Sequence, residues 1–123
     1  MNIAFRVDSS IEIGTGHTMR CLTLADKFNI QENNILFIIS DFLGNQKDFI
    51  TKKGYFVVTL SKFENLNNNH FPDHLSLFDV DWEKDAKDTI NNVKNYKLDL
   101  LIVDHYGIDY RWHSCLRKYT KQL

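Results

Sequence analysis

The stretch RVDSSIEIGTGHTMRC, Arg6 to Cys21, leads from the end of an apolar run into a helical pattern through a segment marked by Gly14 and Gly16. Working outward from it, Ile3 to Val7 on its amino side is short, apolar and rich in β-branched and aromatic residues, the signature of a buried strand. On its carboxyl side, Thr18 to Phe28 places Met19, Leu22, Ala25 and Phe28 three apart, as one face of a helix requires. The same alternation continues. Ile35 to Ile39, Tyr55 to Leu60 and Leu100 to Val103 read as strands, Gln46 to Lys53 and Trp82 to Val93 as helices, and a last helix is expected from Tyr110 towards the end.

Strands that are nearly continuous apolar runs and alternate with helices predict an α/β fold, a Rossmann-like parallel sheet covered by helices on both faces. Right-handed crossovers make 3-2-1-4 the expected strand order. Two features fit less well. Ser61 to Asp79 is long for a connection in a compact domain and contains NLNNN and Pro72, so it is either a substrate-facing loop or a missed element. The closing YTKQL leaves only four strands, with a sheet edge beside the fourth and a truncated domain as the expected cause.

Composition bounds the function. The 123 residues suit one domain, with 43% hydrophobic and 25% charged residues, as in ordinary globular proteins. Fifteen basic and sixteen acidic side chains give a formal charge of −1, which provides no field for nucleic acid or an anionic membrane. Neither is an expected partner. Cys21 and Cys115 stand far apart, outside any CxxC or metal-ligand spacing, and read as incidental thiols. No stretch approaches a leader peptide or membrane span, so the expected location is the cytoplasm.

In an open α/β sheet, ligands bind outside the carboxyl ends of the strands, which is where Arg6 to Cys21 leaves its strand. Gly14 and Gly16 let backbone approach a ligand or simply form a tight turn, and the first amides of the helix suit an anion such as a diphosphate. The pattern GxGHxxR is neither a dinucleotide fingerprint nor a Walker loop. His17, at the helix start, reads as a structural histidine or as a general base, since the positive helix end favours the neutral ring that accepts a proton. Arg20, three residues on, shares its face and is either a phosphate or carboxylate ligand or a solvated surface residue.

Asp8, Asp41 and Asp104 close three of the expected strands and are expected at one sheet edge. They suggest a metal or acid/base site, but turn or cap duty is the preferred reading. In DHYG, Asp104 to Gly107, His105 and Tyr106 form a polar and aromatic cluster suited to sugar contacts. His70, His74 and His113 share no ligand spacing and are expected on the surface or in loops.

Three ordered motifs, AFRVDSSIEIGTGHTMRCLTLAD near the start, ISDFLGN at 39–45 and LIVDHYGIDYRW at 101–112, resemble the amino-terminal half of the UDP-2,4-diacetamido-2,4,6-trideoxy-β-L-altropyranose hydrolases of bacterial pseudaminic acid biosynthesis. The resemblance implies a two-domain GT-B-like architecture, related to the glycosyltransferase that attaches N-acetylglucosamine in peptidoglycan synthesis. It implies hydrolysis of a UDP-sugar at the anomeric carbon, with inversion and with neither a metal nor another cofactor, releasing UDP and 2,4-diacetamido-2,4,6-trideoxy-L-altrose. The family's catalytic histidine matches His17 and its DHYG tyrosine matches Tyr106, here expected to orient sugar or water. Asp8, Gly14, Gly16 and Arg20 are then expected to shape the substrate pocket. Members of the family are longer, so residues 1–123 are expected to form the amino-terminal domain, without the carboxyl-terminal nucleotide-binding half that holds most of the UDP.

Two other readings stay open, and a third is set aside. A phosphoacceptor receiver domain needs an aspartate after strand three and a lysine after strand five, whereas here Leu60 and Ser61 close strand three and no fifth strand is expected. A non-catalytic half completed by a partner chain, or a glycosyltransferase on the same scaffold, would use the same elements.

Overall fold

The computed structural model describes residues 1–9, 14–31, 33–60, 82–105 and 107–123. Strand β1, Asn2–Val7, leads to helix α1, Gly16–Asn29, and is followed by β2, Asn34–Ser40, α2, Lys47–Lys52, and β3, Phe56–Leu60. Helix α3, Trp82–Val93, precedes β4, Leu98–Asp104, and α4, Tyr110–Leu116. A 3₁₀ turn, Arg117–Tyr119, then leads into β5, Thr120–Gln122. The sheet has the order β3-β2-β1-β4-β5 and every pairing is parallel.

The expected order of the first four strands holds, but the carboxyl end differs. The last helix stops at Leu116, and Thr120–Gln122 pairs with β4 through Leu98↔Thr120 and Leu100↔Gln122. Beside β4 there is therefore a fifth strand and not a sheet edge. The expected absence of that strand was also an argument against a receiver domain. Strand order replaces it, since the flavodoxin-like order of receivers is 2-1-3-4-5. The segment from Ser61 to Asp79 lies outside the described residues.

Strand pleating divides the core in two. Ile3, Phe5 and Val7 of β1 face one side with Ile35, Phe37 and Ile39 of β2, under Cys21, Leu22 and Ala25 of α1. The paired Phe5 and Phe37 rings stack at 4.9 Å. Ala4, Leu36, Ile38 and Leu101 face the other side, under Ala86 and Val93 of α3 and Trp112 and Leu116 of α4. Helix α1 begins at Gly16, two residues before the expected Thr18. Its inner face is Thr18, Cys21, Leu22 and Ala25, and Met19, expected in the stripe, is exposed.

By the same alternation Arg6 belongs to the α3/α4 side, where its side chain is fully buried. Its Nε and Nη2 donate to the Asp85 carboxylate of α3 at 3.1 and 2.5 Å. Its Nη1 and Nη2 donate to Asp8 at 2.7 and 3.2 Å. Trp112 Nε1 of α4 also donates to Asp85, at 2.9 Å. Burial opposes the charge on Arg6, but Asp8 and Asp85 outweigh it and raise the guanidinium above its ordinary value. Burial likewise opposes the charge on Asp8 and Asp85, and Arg6 holds both carboxyls below the usual range.

Removing one partner of such a network strands the others as uncompensated buried charge. Arg6→Met is expected to cost about 3 to 5 kcal/mol in urea unfolding. Both aspartates have depressed folded values, so their stabilisation is complete above the unfolded value near 3.9 and is lost as pH falls through the folded one. Urea midpoints of the parent are expected to drop steadily below about pH 5. An Arg6→Met variant as stable as the parent would show that the network contributes nothing net.

Candidate functional site

The carboxyl ends of β1, β2 and β4 bring Asp8, Asp41 and Asp104 to one edge of the sheet, as the sequence suggests. Pleating sends them different ways. Asp104 is in register with Val7 and so belongs to the α1 side. There its Oδ1 lies 2.6 Å from Nδ1 of His17, and Arg20 donates to it through Nε at 3.0 Å and through Nη2 at 2.7 and 2.9 Å. Cys21 Sγ approaches Oδ2 at 3.9 Å. Three residues of the first two turns of α1 thus converge on one carboxylate from β4.

Burial opposes ionisation of Asp104, but hydrogen bonds from His17 and Arg20 outweigh it and keep the carboxyl below its usual range. An ionised carboxylate only accepts, so the 2.6 Å contact requires Nδ1–H on His17. The neutral ring then carries its lone pair on Nε2. Arg20 Nη2 also lies 3.0 Å from Nδ1, but two donors make no hydrogen bond there, and Asp104 is the real acceptor for both. The Cys21 thiol is buried, and burial together with Asp104 pushes it up to about 12, so it stays protonated. Neither cysteine is in a disulfide.

Asp8 lies deeper and is nearly enclosed. Besides Arg6, it accepts from Ser40 N at 2.7 Å, from Ser40 Oγ at 3.0 Å and from His105 Nε2 at 2.5 Å. The cap reading fails for Asp8 and Asp104, which hold ion pairs; Asp41, which accepts from Asn45 Nδ2 at 3.3 Å, is the one used in a turn. His105, read as part of a sugar-contact cluster, turns inward with its side chain 3% exposed. His113 is not on a loop: it belongs to α4 and is half-buried, and its Nε2 is buried with no hydrogen-bond partner among the described residues. Tyr106, His70 and His74 lie outside the described residues.

Reading the sequence missed Arg6 and Asp85 and did not pair His17 with Asp104. A charged residue inside an otherwise apolar strand was the signal for Arg6. Asp85, four residues before Thr89 and eight before Val93, shares the buried face of α3. No group of three or more His, Cys, Asp or Glu arranged to hold a metal ion occurs among the described residues. No described helix is long and apolar enough to cross a membrane.

The two glycines differ in backbone conformation. Gly14 has φ +86, a region L side chains rarely adopt, whereas Gly16 opens α1 with no positive φ. A Cβ at either position meets nothing within 4 Å. Thr15, the N-cap residue of α1, makes no side-chain cap, and no acidic residue stands in the first turn. Gly14→Ala is expected to destabilise the chain by about 1 to 2 kcal/mol. Gly16→Ala is expected to be neutral or slightly stabilising, because alanine is the better helix former. Thermal unfolding of both variants checks this, and equal losses would show that Gly14 has no special backbone role.

Comparison with known proteins adds two relatives. The chain is 31% identical, over its whole length, to an uncharacterised protein of Methanocaldococcus jannaschii, of which the match covers 21%. Over 88% of its length it is 31% identical to the UDP-2,4-diacetamido-2,4,6-trideoxy-beta-L-altropyranose hydrolase of Campylobacter jejuni, of which the match covers 29%. No protein-family model matches the chain. The chain spans less than a third of the length of either relative, and the similarity supports a distant relationship.

Proposed function

We propose that this domain carries the catalytic side of a UDP-sugar hydrolase, with His17 as general base. The observation that carries the reading is the His17–Asp104 pair, 2.6 Å apart at the carboxyl edge of a Rossmann-like parallel sheet. Similarity to the Campylobacter jejuni hydrolase supports it. The substrate proposed is a UDP-linked diacetamido-trideoxy sugar, attacked by water at the anomeric carbon as in pseudaminic acid synthesis.

UDP is a good leaving group, so the residues have mainly to orient a water and accept its proton as oxocarbenium character develops. His17 Nε2 takes that proton. Asp104 fixes the tautomer with the lone pair on Nε2 and stabilises the imidazolium that forms, while Arg20 keeps Asp104 ionised. The positive end of α1 beside Gly14 and Gly16 suits the diphosphate. Asp8, buried beneath, supports the edge and does not touch substrate. Tyr106 orients sugar or water. In this reading a second domain completes a GT-B-like cleft and supplies most of the nucleotide contacts.

The test is UDP release from the diacetamido-trideoxy-altrose nucleotide by the parent, His17→Ala and Asp104→Asn chains. His17→Ala is expected to lower the rate by about 10² to 10⁴-fold. Asp104→Asn should lower it less, because the base survives but its tautomer is no longer fixed. Equal release from parent and His17→Ala sinks His17 as the base, and a parent that releases no UDP has no such activity by itself.

A further inference from the structure

We infer that His105 is a positioning residue, which sets the exit of the chain from β4 and thereby the placement of Asp104 against His17. The inference rests on the reading of His17 and Asp104 as the working pair. It starts from an arrangement the proposed chemistry does not use. Two histidine–aspartate pairs stand at the same sheet edge, and adjacent residues, Asp104 and His105, each contribute one member. Alternation at the end of β4 sends Asp104 to the α1 side and His105 to the opposite side, where Arg6 and Asp8 are buried.

Both ring nitrogens of His105 are committed. Nε2 donates to Asp8 Oδ2 at 2.5 Å, and Nδ1 accepts from the Gly107 amide at 2.9 Å. These roles require the Nε2–H tautomer. The ring therefore links the backbone just beyond Asp104 to a carboxylate that cannot yield, because Asp8 is also held by Arg6 and by both donors of Ser40. His105 lies at the end of this network, and Asp104 is the next residue along the chain. A shift of the exit by a few tenths of an ångström acts directly on the 2.6 Å contact to His17.

The experiment follows the Nδ1 proton of His17 by NMR in the ¹⁵N-histidine-labelled chain, a readout that does not depend on hydrolase activity. Parent and His105→Gln, whose amide can reach Asp8 from the Nε2 position, are expected to show this proton shifted downfield and protected from exchange. His105→Ala is expected to lose the signal while keeping a cooperative unfolding transition. Val93→Ala, a core truncation in α3, is expected to lower the melting temperature and keep the signal. Retention of the proton in His105→Ala overturns the proposal and leaves His105 as a fold-stabilising residue only. Should His105→Ala fail to fold, His105→Asn replaces it, since its amide oxygen can still accept from Gly107 but it is too short to reach Asp8. Loss of the signal then supports the proposal and retention overturns it. Failure of the hydrolase reading alone shows as absent UDP release with the His17 signal and its dependence on His105 intact.

Discussion

A guanidinium with no solvent contact sits at the centre of this sheet, and the arrangement around it follows from the need to compensate its charge. An isolated buried cation is too costly to keep, so Arg6 has to find acceptors for its whole fork. Asp8, two residues along the same strand face, supplies one carboxylate, and Asp85 supplies the other from α3. Each carboxylate then recruits further donors. Asp85 takes the Trp112 indole from α4, and Asp8 takes Ser40 from the end of β2 and His105 from beyond β4. One charge on the central strand thereby fixes two helices and three strand ends. Hydrophobic burial explains why the sheet is covered, but it is non-directional. Directed bonds to Arg6 explain why the edge has a definite shape.

That shape supports the site above it. His17, Arg20 and Cys21 come from a helix whose inner face is packed on β1 and β2, and Asp104 comes from a strand paired with β1 on one side and β5 on the other. The His17–Asp104 pair is therefore held by regular elements, which position side chains more tightly than loops do. Polar groups become more exposed towards the edge, from Arg6 at 0% to Arg20 at 66%. Charges at the bottom serve architecture because solvent and ligand cannot reach them. Those at the top remain within reach of solvent.

Much of the fold could be read from local pattern. The apolar runs of β1 and β2 gave their elements to within a residue or two, because burial on both faces leaves its mark on consecutive residues; the β-branched run of β3 and the helical spacing in α3 gave theirs as closely. β5 left no such mark: Thr120, Lys121 and Gln122 are polar, and three residues at a sheet edge need only backbone pairing with β4. Met19 fitted the three-residue spacing but faces solvent, since Thr18 and Cys21 complete the inner face. For the site, pattern placed His17, Arg20, Asp8 and Asp104 at one edge. It could not pair them, because His17 meets Asp104 across 87 positions and Arg6 meets Asp85 across 79. No periodicity spans such distances.

Two histidine–aspartate pairs made from the same chemistry are placed in different surroundings by the pleat of a single strand. In the buried pair the His105 and Asp8 side chains are 3% and 2% exposed, and both ring nitrogens are in use, so taking up a proton would break the bond from Gly107 and add charge where water cannot relieve it. In the other pair the His17 and Asp104 side chains are 17% and 21% exposed, so both remain within reach of solvent. A carboxylate that is hydrogen-bonded on all sides holds its histidine still. One that remains partly open to water leaves its histidine in contact with solvent. The difference in surroundings, more than the identity of the residues, suits the first pair to architecture and is what the proposed role of the second in proton transfer draws on.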